Sequence, residues 1–179
     1  MILYGSRFYS LDVETANSDA GSICQIGIGV FENGELTATW KSYIDPEDYF
    51  SYFNIRVHGI EQEMVRNAPK FYEAYGFLRR TFENNIVVHH APFDKIAFGR
   101  AYEKYRLAPF DVQWLDSAKV ARRTWKQFSK TGYGLHNLAE FLDIKFKHHD
   151  ALEDSVTAGK IVVAACRERG VGVEELMMG

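Results

Sequence analysis

Cysteine is scarce in this sequence: Cys24 and Cys166 are the two among 179 residues, and both sit in apolar runs. That excludes a disulfide-stapled secreted scaffold. Neither thiol has a second cysteine nearby to make a zinc pair, and the usage fits a reducing, cytoplasmic setting. Proline occurs four times, and no stretch rich in Pro, Gly or Ser divides the chain. Without a linker or an internal repeat, one domain is expected over residues 6–170, with 171–179 as a short carboxyl-terminal tail. Long apolar runs are missing too. Met1 to Arg7 lacks the core of a signal peptide, and Ile161 to Cys166 is far shorter than the roughly 20 residues that span a bilayer, so a soluble protein with no membrane association is expected. Neither sign of charge dominates, because 21 Lys and Arg against 24 Asp and Glu leave a formal net charge of −3. Global charge therefore offers no argument for a polyanionic partner, which would need a local reversal of sign.

What is present is ordinary globular material, 46% hydrophobic and 25% charged, enough for one core without a staple or structural metal. Phe8 to Val13 reads as a strand, and Ile23 to Phe31 as a strand buried on both faces. The Asn33-Gly34 pair turns the chain into Glu35 to Ile44, so three consecutive antiparallel strands are expected. After Pro46 the pattern becomes helical, with Phe71, Ala74, Tyr75 and Leu78 at helical spacing behind Pro69. Short strands at Ile86–Val88 and Val112–Leu115 alternate with helices over Phe93–Tyr105, Ser117–Phe128 and Gly134–Leu142. Asp150 to Arg167 is the last helix, with Gly170 as its stop. The fold class is α/β, a mixed sheet flanked by helices.

Three clusters carry potential chemistry. Strand alternation puts Asp12 and Glu14 on one face and Tyr9, Leu11 and Val13 on the other. Two adjacent carboxylates in a sheet repel, and a cation is the simplest remedy, although a frayed and solvated strand end would serve as well. Asp94 closes His89-His90-Ala91-Pro92-Phe93-Asp94, where a buried strand passes into a helix. That is where open α/β sheets place ligands, and equally where a helix dipole favours an acid. In His148-His149-Asp150-Ala151-Leu152-Glu153-Asp154, Asp150 and Glu153 resemble a capping box, and Asp154 falls close to the buried stripe of Ala151, Ala158, Ile161, Val162 and Ala165.

Together, Asp12, Glu14, Asp94 and Asp154, with a histidine five residues before the last, closely resemble the DnaQ-like 3′-to-5′ exonucleases of the DEDDh subgroup, among them the proofreading (epsilon) subunit domain of DNA polymerase III. Asp12-Val13-Glu14-Thr15 matches the family's Asp-x-Glu-Thr. Residues 89–94 match His-Asn-Ala-x-Phe-Asp except for His90, and 149–154 match His-x-Ala-x-x-Asp. Val57-His58-Gly59-Ile60 is similar to the element between the first two motifs.

The resemblance implies a ribonuclease-H-like fold and removal of mononucleotides from a single-stranded or frayed DNA 3′ end by two Mg²⁺ or Mn²⁺ ions. Asp12, Glu14 and Asp154 would hold the ion that binds the attacking water, and Asp12 would bridge to the second. Asp94 would act through water or as an outer ligand. His149 is the candidate general base, whereas His148 and His90 lack such support and are expected to be loop residues. Thr15, Val57, His58 and Phe93 would receive the end nucleotide. Lys119, Arg122, Arg123, Lys126 and Lys130, with Trp125 and Phe128, form an acid-free stretch suited to backbone phosphates or to a solvated helix face. An RNA-directed exonuclease and a non-catalytic nucleic-acid-binding domain are the alternatives, and any polymerase partner would bind in trans. Two divalent ions would cancel the formal charge of the four acids.

Overall fold

The computed structural model describes residues 7–178, so Met1–Ser6, part of the stretch expected to hold no signal peptide, lie outside the described residues. Strands β1 (Arg7–Thr15), β2 (Ile23–Glu32) and β3 (Glu35–Tyr43) form the expected antiparallel meander. β4 (Ile86–His89) and β5 (Gln113–Asp116) add in parallel on the other side of β1, giving the order β3-β2-β1-β4-β5. This is the expected mixed sheet, three antiparallel strands followed by parallel ones. β1 pairs with β4 only at Tyr9 and Ser10, so its carboxyl half diverges from that neighbour just where the acids stand.

The helices are α1 (Tyr52–His58), α2 (Gln62–Val65), α3 (Phe71–Phe82), α4 (Phe93–Tyr105), α5 (Ser117–Thr124), α6 (Leu135–Phe141), α7 (Ala151–Arg169) and α8 (Val173–Met177). Alternation along β1 divides the core. Leu11 and Val13 pack with Phe71, Leu78 and Phe98 of α3 and α4, while Phe8 packs with Ile161, Val162 and Leu138 of α7 and α6 on the opposite face. The β1 acids therefore open onto the α7 side. Glycine lets α7 lie this close. A Cβ on Gly159 would stand 2.2 Å from the Phe31 ring, and one on Gly27 2.2 Å from the backbone of Ala151 and Leu152.

Two expectations are revised. The helix expected over Ser117–Phe128 stops at Thr124, because Trp125 turns extended, buries its ring edge-on to Phe141, and gives its carbonyl to the Tyr133 hydroxyl. Only a tight 3-10 turn follows, at Lys126–Ser129. The stretch expected as a tail folds back as α8, which buries Val173 and Leu176. Among the described residues, no helix is long and apolar enough to cross a membrane.

Candidate active site

Asp12 and Glu14 reach the site by strand alternation, opposite Gly27 and Gln25 of β2, with a register shift at Glu14/Thr15 that ends the regular ladder. Asp154 arrives from the first turn of α7. Three long-range contacts hold that turn over the sheet. The Ala151 N–H donates to Gln25 Oε1 at 2.9 Å, Lys41 Nζ pairs with Asp150 at 2.9 Å, and the helix backbone rests on Gly27. Asp150 caps the helix by accepting from the Leu152 and Glu153 N–H groups. In consequence one carboxylate oxygen each from Asp12, Glu14 and Asp154 lies within 4.8 Å of the others.

Asp94 is buried and stands outside this triad. Its Oδ1 accepts the Val13 N–H at 3.0 Å, replacing the ladder partner that β1 lost when it diverged from β4. His149 sits in the left-handed region, φ 65°, a strained choice for a non-glycine residue. That turn aims its N–H at Asp154 Oδ2, 3.1 Å away. Of the nucleotide-contacting candidates, Val57 and Phe93 are exposed and Thr15 is buried. His58 accepts the Ile60 N–H at Nδ1, which leaves Nε2–H to donate to the Thr15 carbonyl at 3.0 Å. Both ring nitrogens are thus occupied by backbone, and only the ring surface is free for a ligand. Asn54 also donates to the Thr15 carbonyl, so α1 is latched to the end of β1.

Residues 10–162 match the RNase_T family model, described as exonuclease. The chain belongs to this exonuclease family. It is 28% identical over 161 residues to a PolC-type DNA polymerase III of Caldanaerobacter subterraneus subsp. tengcongensis, covering 88% of this chain and 11% of that protein. To the 3′-5′ exonuclease DinG of Bacillus subtilis it is 30% identical over 164 residues, covering 87% of this chain and 17% of DinG. It thus spans under a fifth of either relative. Among solved structures, Exonuclease X in complex with 5′-overhanging duplex DNA superposes with a TM-score of 0.76 at 19% identity, covering 96% of this chain and 99% of that one. The nuclease domain of 3′hExo, a DEDDh family member bound to rAMP, gives 0.76 at 20% identity, covering 90% and 92%. This member of the exonuclease family thus shares the fold of those structures, one of them a DEDDh exonuclease.

Enzymes of this type use divalent metal ions, and the donors of this exonuclease fit one. Three converging carboxylates are hard ligands, no thiolate is among them, and their electrostatics call for a cation. Burial, then repulsion from the other acids, pushes Glu14 up to about 8 and holds Asp12 well above the usual carboxylate range. Burial pushes Asp94 up to about 7 against the pull of the Val13 N–H, and Asp154 is raised for the same reason.

The unfolded chain ionises these acids near pH 4, so the folded metal-free exonuclease holds extra protons up to about pH 8. Stability from raised carboxylates is lost as pH climbs through their folded values. The melting temperature in EDTA should therefore fall between pH 7.5 and 8.5, where His58, His89, His90 and His149, depressed in the fold and about 6.5 in the unfolded chain, are neutral in both states. Mn²⁺ should restore more stability at pH 8.5 than at 7.5. A metal-free melting temperature that rises across this interval would show that the cluster is not held together by protons.

One neighbour lay beyond sequence reasoning. His148, expected to be a loop residue, lies with Nδ1 3.1 Å from both Asp154 oxygens and stacks on His149 at 3.9 Å between centroids. The motif names one histidine, and spacing alone does not say which ring folds back. His90, in place of the usual asparagine, packs its Nδ1 2.8 Å from the Ser117 hydroxyl, and burial lowers its pKa to about 4, so it is neutral and structural.

Proposed function

We propose that this chain hydrolyses the 3′-terminal phosphodiester bond of single-stranded or frayed DNA, releasing nucleoside 5′-monophosphates. The observation that carries this is the meeting of Asp12, Glu14 and Asp154 within 4.8 Å beside the aligned loop of His149. These three acids would hold the principal Mg²⁺ or Mn²⁺ ion, with Asp12 shared by a second. Two such ions supply a nucleophile at neutral pH and neutralise charge on the phosphate and the leaving 3′-oxygen. Asp94 holds the end of β1 through the Val13 N–H and would serve as an outer ligand to the metals. Val57 and Phe93, both exposed, would offer apolar surface to the terminal base, together with the His58 ring and Thr15, which His58 contacts through the Thr15 carbonyl.

His149 takes the proton of the attacking water. Burial and the neighbouring His148 lower its pKa while Asp154 raises it, and the net lowering leaves a neutral imidazole free to accept a proton at pH 7. His149→Ala should cut kcat by about 10²–10⁴-fold with KM little changed. Wild-type rates across pH 6–9 in that variant would remove the histidine from the mechanism.

DNA is favoured by the likeness to the PolC-type DNA polymerases III, and the same likeness suggests a polymerase partner acting in trans. The decisive experiment is incubation with 3′- and 5′-labelled DNA and RNA oligomers, with and without Mg²⁺ or Mn²⁺. A metal-dependent DNA ladder from the 3′ end is expected. Faster cleavage of RNA would move the substrate to the ribonuclease alternative, and no cleavage of either would leave a binding domain.

A further inference from the structure

A groove of about 790 Å³ opens between α5 and the loop that carries the second acidic motif. Its floor includes Trp114 and His89, and its rim carries Lys95, Lys119, Arg122 and Arg123. Among the described residues, none of these four cations is paired with a carboxylate, whereas Arg7, Lys41, Lys70 and Lys104 each are. No acidic side chain occurs from Ser117 to Ala139, although the chain as a whole is net negative. Asp116 is the acid that lines the groove, and its Oδ1 is already engaged by the N–H groups of Ala91, Ala118 and Lys119.

The groove lies beside the loop that leads into Asp94. Ala91 and Pro92 line it, Asp94 lies two residues beyond, and Lys95 on its rim follows directly. α5 starts at the carboxyl edge of β5, beside the carboxyl end of β4, and runs back along the sheet. A polyanion held at the acids would therefore find a basic rim next to the loop that bears Asp94. Gathering like charges without counterions is unfavourable in the free protein and becomes favourable once phosphates enter.

We propose that this groove binds the sugar-phosphate backbone of the single strand upstream of the 3′-terminal nucleotide, through Lys119 and Arg122 with Lys95 and Arg123 beside them. This deepens the exonuclease reading and rests on it. The groove makes the enzyme sensitive to substrate length and salt, without contributing to the chemistry of the terminal bond.

Lys119 and Arg122 are exposed, so reversing them leaves the core intact. Lys119→Glu/Arg122→Glu and the milder Lys119→Gln/Arg122→Gln are compared with Arg80→Glu/Lys160→Glu, which makes the same charge change elsewhere on the surface. Two probes are read: binding of a fluorescein-labelled, phosphorothioate-protected dT20 in Mg²⁺, and hydrolysis of thymidine 5′-(p-nitrophenyl phosphate), which reports the terminal site alone. The groove reversal should weaken dT20 binding about tenfold or more and flatten the slope of log affinity against log salt by about 1.4 for two lost phosphate contacts. The Gln pair should fall between, and p-nitrophenyl hydrolysis should hold within about twofold. Unchanged dT20 binding, or an equal loss in the Arg80/Lys160 control, overturns the groove while leaving the exonuclease reading standing. Groove-dependent binding by a wild-type protein that cleaves no substrate would support the groove and reject the exonuclease.

Discussion

Asp12→Ala should lower turnover of a 3′-labelled oligonucleotide by at least about 10²–10³-fold, the scale of losing a principal electrostatic stabiliser of a phosphoryl transition state. The same change should leave the metal-free protein at pH 8 no less stable than wild type. Both expectations come from one geometry. Asp12 is pressed among Glu14, Asp94 and Asp154, and burial with their repulsion holds its pKa well above normal, so in the folded metal-free state its charge is a liability. Removing it deletes a cation ligand and relieves that repulsion together. Turnover with Mg²⁺ and Mn²⁺, and melting curves in EDTA at pH 8, test the two halves independently. A variant that melts several degrees lower would mean that Asp12 is held by stabilising contacts rather than tolerated for a cation. A variant that retains turnover would remove Asp12 from the metal site.

Gly27→Ala is the second large effect, and it touches no ligand. The new methyl would stand 2.2 Å from the Ala151 carbonyl carbon and the Leu152 nitrogen, where backbone rather than a pliable side chain has to move. Ordinary contact requires α7 to lift by about 1 Å or more, carrying Asp154 away from Asp12, which is Gly27's partner across the strands. A misplacement of about 1 Å can cost about 10²-fold in rate. Overpacking of this kind costs about 1–3 kcal/mol, roughly 2–4 °C of melting temperature per kcal/mol in a chain of this size. Gly99→Ala is the control, since its Cβ would meet nothing within 4 Å on an exposed helix surface. It should leave rates unchanged and raise stability slightly. Wild-type kcat and melting temperature in Gly27→Ala would show that the start of α7 is not seated as the structure has it.

Much of the site was legible because its signals are local. Alternation puts Asp12 and Glu14 on one face of β1 in any register. The four-residue spacing from the cap Asp150 to Asp154 sets the last acid a little over one turn beyond the cap of α7. The hairpin turn at Asn33-Gly34 dictates the antiparallel meander, with both turn residues in the left-handed region. Gly170, also left-handed, ends α7 where composition placed the stop. Where the reading erred, nonlocal packing overrode local preference. Trp125 breaks a helix-favouring run because its indole finds Phe141, and α8 forms on five residues because Val173 and Leu176 find the core.

The sequence by itself thus determined that Asp12 and Glu14 share a face, which strands and helices bear the acids, and the faces those elements bury. These follow from periodicity and short-range hydrogen bonding, which read out over a few residues. Tertiary structure alone decided how the pieces meet. It seats α7 on Gly27 and Gln25, gives Asp94 the Val13 N–H that β4 leaves free, and brings His148 rather than His149 against the Asp154 carboxylate oxygens through its ring. It also turns an acid-free stretch into one wall of a basic groove beside the catalytic loop. Most of these contacts join residues 81 or more positions apart, and no local pattern encodes a distance closed by the packing of the whole sheet.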